Sequence, residues 1–141
     1  MSAVLTNIGE EWYAKHAGEG ASVSVGLYND STDAASDTTD LGDLTTEPTG
    51  SAYARQSDTL TASNQNTNWG PVTSSKLTFD TSDSSQSVDA YFLTATFTST
   101  EAGDGGDTEH IIATGLLSQS RNLSDIDQFE IEAGTAGFMV D

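Results

Sequence analysis

Along most of this chain hydrophobic positions alternate with small or polar ones. In Ser22–Tyr28 (SVSVGLY) Val23, Val25 and Leu27 stand against such neighbours, the period of a strand with one buried face. KLTFD (76–80) repeats the period through Leu77 and Phe79, and FEIE (129–132) repeats it near the end. VDAYFLTATF (88–97), rich in aromatic and β-branched residues, is the strongest strand signal. EAGDGGDTE (101–109) reads as a glycine-rich hairpin tip, which makes HIIATGLL (110–117) the returning partner. Residues 53–60 are expected to be extended. SNQNTNWGPVTSS (63–75) reads as a loop with Trp69-Gly70-Pro71 as a turn, and TSDSSQS and SQSRNLSDID as polar connectors. GTAG then turns the chain into a closing FMV.

One segment breaks the alternation. TNIGEEWYAKHAGEG predicts a short helix over about residues 7–17. Asn7 is the expected cap, with Glu10 three residues on as in a capping box. Glu10 and Glu11 in the first turn and Lys15 and His16 near the last suit the helix dipole. Ile8 and Trp12 share a face and are expected to dock it, and Gly18 or Gly20 to stop it. One helix followed by six or seven short strands from about residue 22 predicts a mainly β fold. The expected architecture is a single-domain antiparallel β-sandwich, jelly-roll-like, spanning 1–141.

Composition narrows the function. Hydrophobic residues make up 35% of the chain, so a thin core is expected under a wide polar surface. Acids outnumber bases 22 to 4, for a net charge of -18. Such a charge repels nucleic acid and anionic membrane surfaces alike, and no apolar run reaches the roughly 20 residues of a spanning helix. MSAVLTNIGEEW lacks a basic region followed by an apolar stretch, so no signal peptide is expected. The absence of cysteine excludes disulfides, thiolate metal sites and a thiol nucleophile. Self-repulsion on this scale strains a fold. Salt relieves it, since the screening length falls from about 10 Å at 0.1 M to about 3 Å at 1 M. With only Lys15, Arg55, Lys76 and Arg121 as cations, the chain reads as built for molar salt.

Candidate chemistry is sparse. YNDSTDAASDTTDLGD (28–43) carries Asp30, Asp33, Asp37, Asp40 and Asp43 and no base. Its spacing does not match a calcium-binding loop, and it reads as a solvated coat. Asp104, Asp107 and Glu109 are the metal candidates, offering weak sites for Ca, Mg or Na; no other cofactor is expected. His16 and His110 are the only histidines, and no nucleophile elbow accompanies them. No catalytic residue is assigned. Arg55, whose planar fork suits a carboxylate, reads either as an internal ion pair pinning its loop or as a contact with a neighbouring subunit. Trp12, Tyr13, Tyr53 and Trp69 divide the same way between core and interface, with Trp12, Tyr53 and Trp69 the first interface candidates. With Arg55 they form the set of interface candidates.

The order of segments carries a resemblance. LTNIGEEW, VSVGLYND, SAYARQS, KLTFDTSD, VDAYFLTATF and a late GLL together resemble small accessory virion proteins of tailed phages and haloarchaeal tailed viruses, over about residues 5 to 131. GLYND (26–30), YARQ (53–56), and KLTFD followed by YFLT (91–94) are its most specific pieces. The acidic filling of 28–43 and 101–109 departs from the pattern. The resemblance implies a non-enzymatic capsid decoration, cement or turret protein of a halophilic tailed virus, made in the host cytoplasm and placed on the capsid surface. Its implied partners are other copies of itself, as a trimer, and the major capsid protein, with neither nucleic acid nor membrane. The alternatives are a tail or head–tail junction protein and, from another class, a surface cation- or carbohydrate-binding β-sandwich.

Overall fold

The alternating segments fold as their period requires. The structure, a computed structural model, describes residues 6–65, 68–97 and 108–138. These comprise helix α1 (Asn7–Tyr13) and strands β1 (Ser22–Tyr28), β2 (Gln56–Gln65), β3 (Asn68–Thr73), β4 (Leu77–Asp80), β5 (Ser87–Phe97), β6 (Thr108–Asn122) and β7 (Gln128–Ile131). All pairings between strands are antiparallel. One sheet has the order β3-β2-β1-β5-β6, and β4 and β7 form a second.

The two sheets share a core. Val23, Val25 and Leu27 of β1, Leu60 of β2 and Tyr91 and Leu93 of β5 meet Leu77 and Phe79 of β4 and Ile131 of β7. Full burial of side chains this size contributes about 1.5–3 kcal/mol each. Phe79 stacks on Tyr53 at 6.0 Å between ring centroids and lies tilted against Phe129.

The opposite face of the large sheet is also covered, and the acidic segment supplies the cover. Tyr28, Ala90 and Phe92 point outward there, and Ala35, Leu41 and Leu44 of the 29–55 segment pack on them beside Ile111. Gly26 makes this possible. A Cβ at that position would fall 2.3 Å from the Phe92 ring, so the ring lies flat on the β1 backbone only because no side chain is present.

Three expectations need correction. The helical run spans 7–18 and stops at Gly18 as expected, but only Asn7–Tyr13 is α and Ala14–Gly18 is a π turn. Its cap is Thr6, whose Oγ1 accepts from the Gly9 N–H at 3.1 Å; Asn7 already lies in the first turn. Ile8 and Trp12 do not dock it, being 80% and 60% exposed. The wider turn, closed by Glu19 N–H donating to the Ala14 carbonyl, rotates the small residues inward. Ala14 is buried, and Gly18 sits so close to Pro71 that a Cβ would clash.

The expected loop around Trp69-Gly70-Pro71 is a hairpin instead, with Ala62 opposite Pro71 and Asn64 opposite Trp69. Proline fits because β3 is at the sheet edge and its nitrogen faces away from β2. Thr73 N–H, two residues on and on the same side, donates outward to the Ala136 carbonyl. The 134–138 segment covers that edge: Gly134 turns with φ 77°, Gly137 bridges Val72, and Phe138 N–H donates to the Pro71 carbonyl.

Finally, β6 runs to Asn122, taking in SQSRN, which had read as a connector. Ala90 lies opposite Leu116 but Val88 opposite Arg121, so residues 117–120 bulge from the ladder. The glycine-rich tip lies almost wholly outside the described residues. The pairing of Phe97 with Thr108 brings its two strands together at the base.

Candidate interface and the acidic loops

Four aspartates of the 28–43 stretch, Asp30, Asp33, Asp40 and Asp43, act as hydrogen-bond acceptors for the loops, which corrects their reading as a solvated coat; Asp37 is exposed as that reading expects. Asp33 accepts from the amides of Thr45 and Thr46, both at 2.8 Å, and from both their hydroxyls, at 2.8 and 2.6 Å. Asp30 accepts from the Tyr28 hydroxyl and the Ala35 amide. Asp40 caps the 3-10 turn Leu41–Asp43 and, through Asp43, completes a reciprocal box. It also reaches across to β6, accepting from the Ile111 amide at 2.9 Å and contacting His110 Nδ1 at 2.5 Å.

Aspartates outside the stretch do the same. Asp89 receives the amides of Asp30 and Ser31 and the Ser31 hydroxyl. Asp83 receives Ala52 N–H and Ser51 Oγ–H, and Asp58 receives Ser75 N–H and Ser74 Oγ–H.

These donors favour the ionised form. The Thr46 hydroxyl leads in holding the Asp33 carboxyl below the usual range, the His110 ring does so for Asp40, and the Ser51 and Ser82 hydroxyls for Asp83 and Asp80. For Asp58 and Asp89 burial pushes upward most strongly, but their several donors together outweigh it, and both end lowered.

Of the metal candidates, Asp104 and Asp107 lie outside the described residues. Glu109 stands on β6, accepts from the Thr94 hydroxyl and lies 3.5 Å from Arg55 Nη1. Among the described residues no three ligating side chains cluster.

The four interface candidates separate. Arg55 holds Glu47 with two bonds, Nε to Oε1 at 2.7 Å and Nη2 to Oε2 at 2.8 Å, and lies 5.2 Å over the Phe92 ring. Tyr53 donates to Glu47 and accepts from the Leu27 amide. Burial pushes its hydroxyl far above the usual phenol range. Tyr53 thus pins the covering segment onto β1, while Arg55 ties the segment to itself through Glu47 and holds it against Phe92 of β5. Trp69 is half-buried on β3 with Lys15 Nζ 5.3 Å over its ring. Trp12 is presented to solvent, tilted on His16, and Ile8, one turn earlier, and Tyr13, 48% exposed, are exposed with it.

A second exposed surface was not singled out from the sequence. Strand β6 ends the large sheet and β7 ends the small one, and between them lies a groove of about 300 Å³. Tyr91, Leu117, Phe129 and Ile131 line it, with Arg121, Glu130 and Glu132 at its rim. Leu116, 70% exposed, stands at its lip. The available signal was charge: residues 111–120, IIATGLLSQS, carry none in a chain of net -18.

A shallow cleft of about 450 Å³ also crosses the outer face of the large sheet, lined by hydroxyls of Ser22, Ser24, Ser57 and Thr94 and by Glu109. No known family model matches this chain, and neither a curated protein nor a solved structure matches it significantly.

Proposed function

We propose that this chain is a non-enzymatic structural protein of a halophilic tailed virus, a decoration, cement or turret subunit that stabilises the capsid by joining surfaces. Its partners on this reading are other copies of itself and the major capsid protein. The observation that carries it is the placement of apolar side chains outside the core. Ile8, Trp12 and Tyr13 on α1 and Leu116 on β6 face solvent, while the acidic segment is drawn down onto the sheet. Exposed apolar groups of this kind favour burial against a partner, and a standard interface buries about 1,600 Å² in total. Molar salt suits such a join, because it shortens repulsion between acidic surfaces and strengthens apolar contact.

Cryo-microscopy of purified particles tests the reading. Density for this fold repeated over the head supports it. Density confined to the tail or the head–tail junction selects the other virion role, and absence from the particle ends both. The hydroxyl-lined cleft beside Glu109 favours a second reading, a glycan- or cation-binding module. Heat on titration with glycans or calcium would support that reading, and none at millimolar ligand would remove it.

A further inference from the structure

The two edges of the five-stranded sheet differ. A sheet edge presents unpaired amides and carbonyls that another extended strand satisfies. On the β3 side the 134–138 segment takes up those groups. On the β6 side the Ile111 amide is taken by Asp40, the Leu123 amide beyond the strand is taken by the Gln86 carbonyl, and residues 113–116 pair with β5 alone. No proline or charged side chain guards the edge between 111 and 120, although natural edges are commonly blunted in that way.

Arg121 follows this run. Of the four cations, Lys15 pairs with Glu11, Arg55 with Glu47 and Lys76 with Glu130. Among the described residues Arg121 has no carboxylate within 4.0 Å. It lies at the groove's mouth beside Ile126, Gln128, Phe129 and Glu130, whose carboxylate is held by Lys76 and Gln128 instead. A lone guanidinium on so acidic a chain complements any other copy of that chain.

We propose that a second copy docks here, the β6 edges of the two copies pairing antiparallel along residues 112–116. The contact covers Leu116 of both copies and turns Arg121 of each toward the Glu109 end of the other. A main-chain edge is met by an extended strand, and an antiparallel edge is complementary to itself about a two-fold axis. The uncharged run keeps carboxylates out of 112–116 itself in copies of net charge -18, the Asp40 carboxyl of each copy being held by Ile111 and His110 at one end. Such a contact closes at two copies, where the resemblance implies three. The inference deepens the proposed role by naming the surface that joins copies.

Sedimentation equilibrium of the full chain in molar NaCl tests it, together with hydrogen exchange at low and high protein concentration. The expected result is a dimer whose amides in 112–116 gain protection as concentration rises. Leu116→Asp and Arg121→Glu should each weaken it at least tenfold with circular dichroism unchanged. A monomer throughout the micromolar range overturns the proposal. So does a trimer, or an oligomer whose 112–116 amides exchange at the monomer rate. The exchange arm uses the unaltered chain, so it decides the matter even if a variant misfolds. A monomer in solution that still decorates particles refutes this contact and leaves the virion role standing. A β6-paired dimer absent from particles does the reverse.

Discussion

The carboxylate of Asp33 closes on Thr46 twice, taking its amide at 2.8 Å and its hydroxyl at 2.6 Å. Thirteen residues separate the pair in sequence. This bond and its equivalents at Thr45 draw the acidic segment into a loop that can lie on Phe92. Replacing Asp33 by alanine should therefore lower unfolding free energy by about 1–2 kcal/mol. That is the lower end for bonds to a charged acceptor, since the site is near solvent. Asp33→Asn, which keeps one acceptor oxygen, should recover part of the loss. Urea midpoints of the three proteins measure both effects.

Acid should release the same loops. The carboxyls of Asp33, Asp40, Asp58, Asp80, Asp83 and Asp89 lie below their ordinary value of 3.8 in the folded chain. A depressed acid contributes stability that is fully present above its unfolded pKa and is lost as pH falls through the folded one. Stability should be level from neutral pH to about 5 and fall below about 4. Amide exchange in 29–46 should quicken before that of β1 and β5. Equal acceleration in both would contradict the role given to these aspartates.

Salt acts on the remaining repulsion. With net charge -18, the chain should lose structure or assembly below about 0.5 M NaCl, where screening no longer separates neighbouring carboxylates. Circular dichroism across a desalting series reads this directly, and an unchanged spectrum would contradict it.

Arg55 cross-links the covering segment through Glu47 and holds it against the Phe92 ring. Both its partner Glu47 and the guanidinium are more than two-thirds buried. Arg55→Ala leaves Glu47 without its cation and should cost about 2–3 kcal/mol, below the 3–5 of a fully buried pair. Arg55→Lys should restore less than half, because an ammonium cannot make both bonds at once. Thermal melts in molar salt provide the measurement.

The strands that bury alternate residues were legible: β1, β4 and β7 follow their two-residue period, and β5 its aromatic and branched content. What escaped depends on neighbours. Pro71 reads as a breaker unless its strand is known to be an edge. Ile8 and Trp12 read as docking residues unless the π turn after Tyr13 is known to swing Ala14 and Gly18 inward. The aspartates looked interchangeable because their donors are distant in sequence, as Thr46 is from Asp33 and Ile111 from Asp40. Arg121 was visible only as one cation of four, since whether a cation is paired is a property of the folded surface. The neutral run before it was in plain view, and its meaning emerged once β6 was seen to end the sheet.

The short tail from Gly134 to Phe138 has a consequence for assembly. By zipping onto β3 it shuts the far flank of the five-stranded sheet, so that sheet, once joined through β6, has no second edge to offer. Two five-stranded sheets can merge into one continuous ribbon, and growth then halts. Peeling the tail away would turn a closed pair into a building block for fibres.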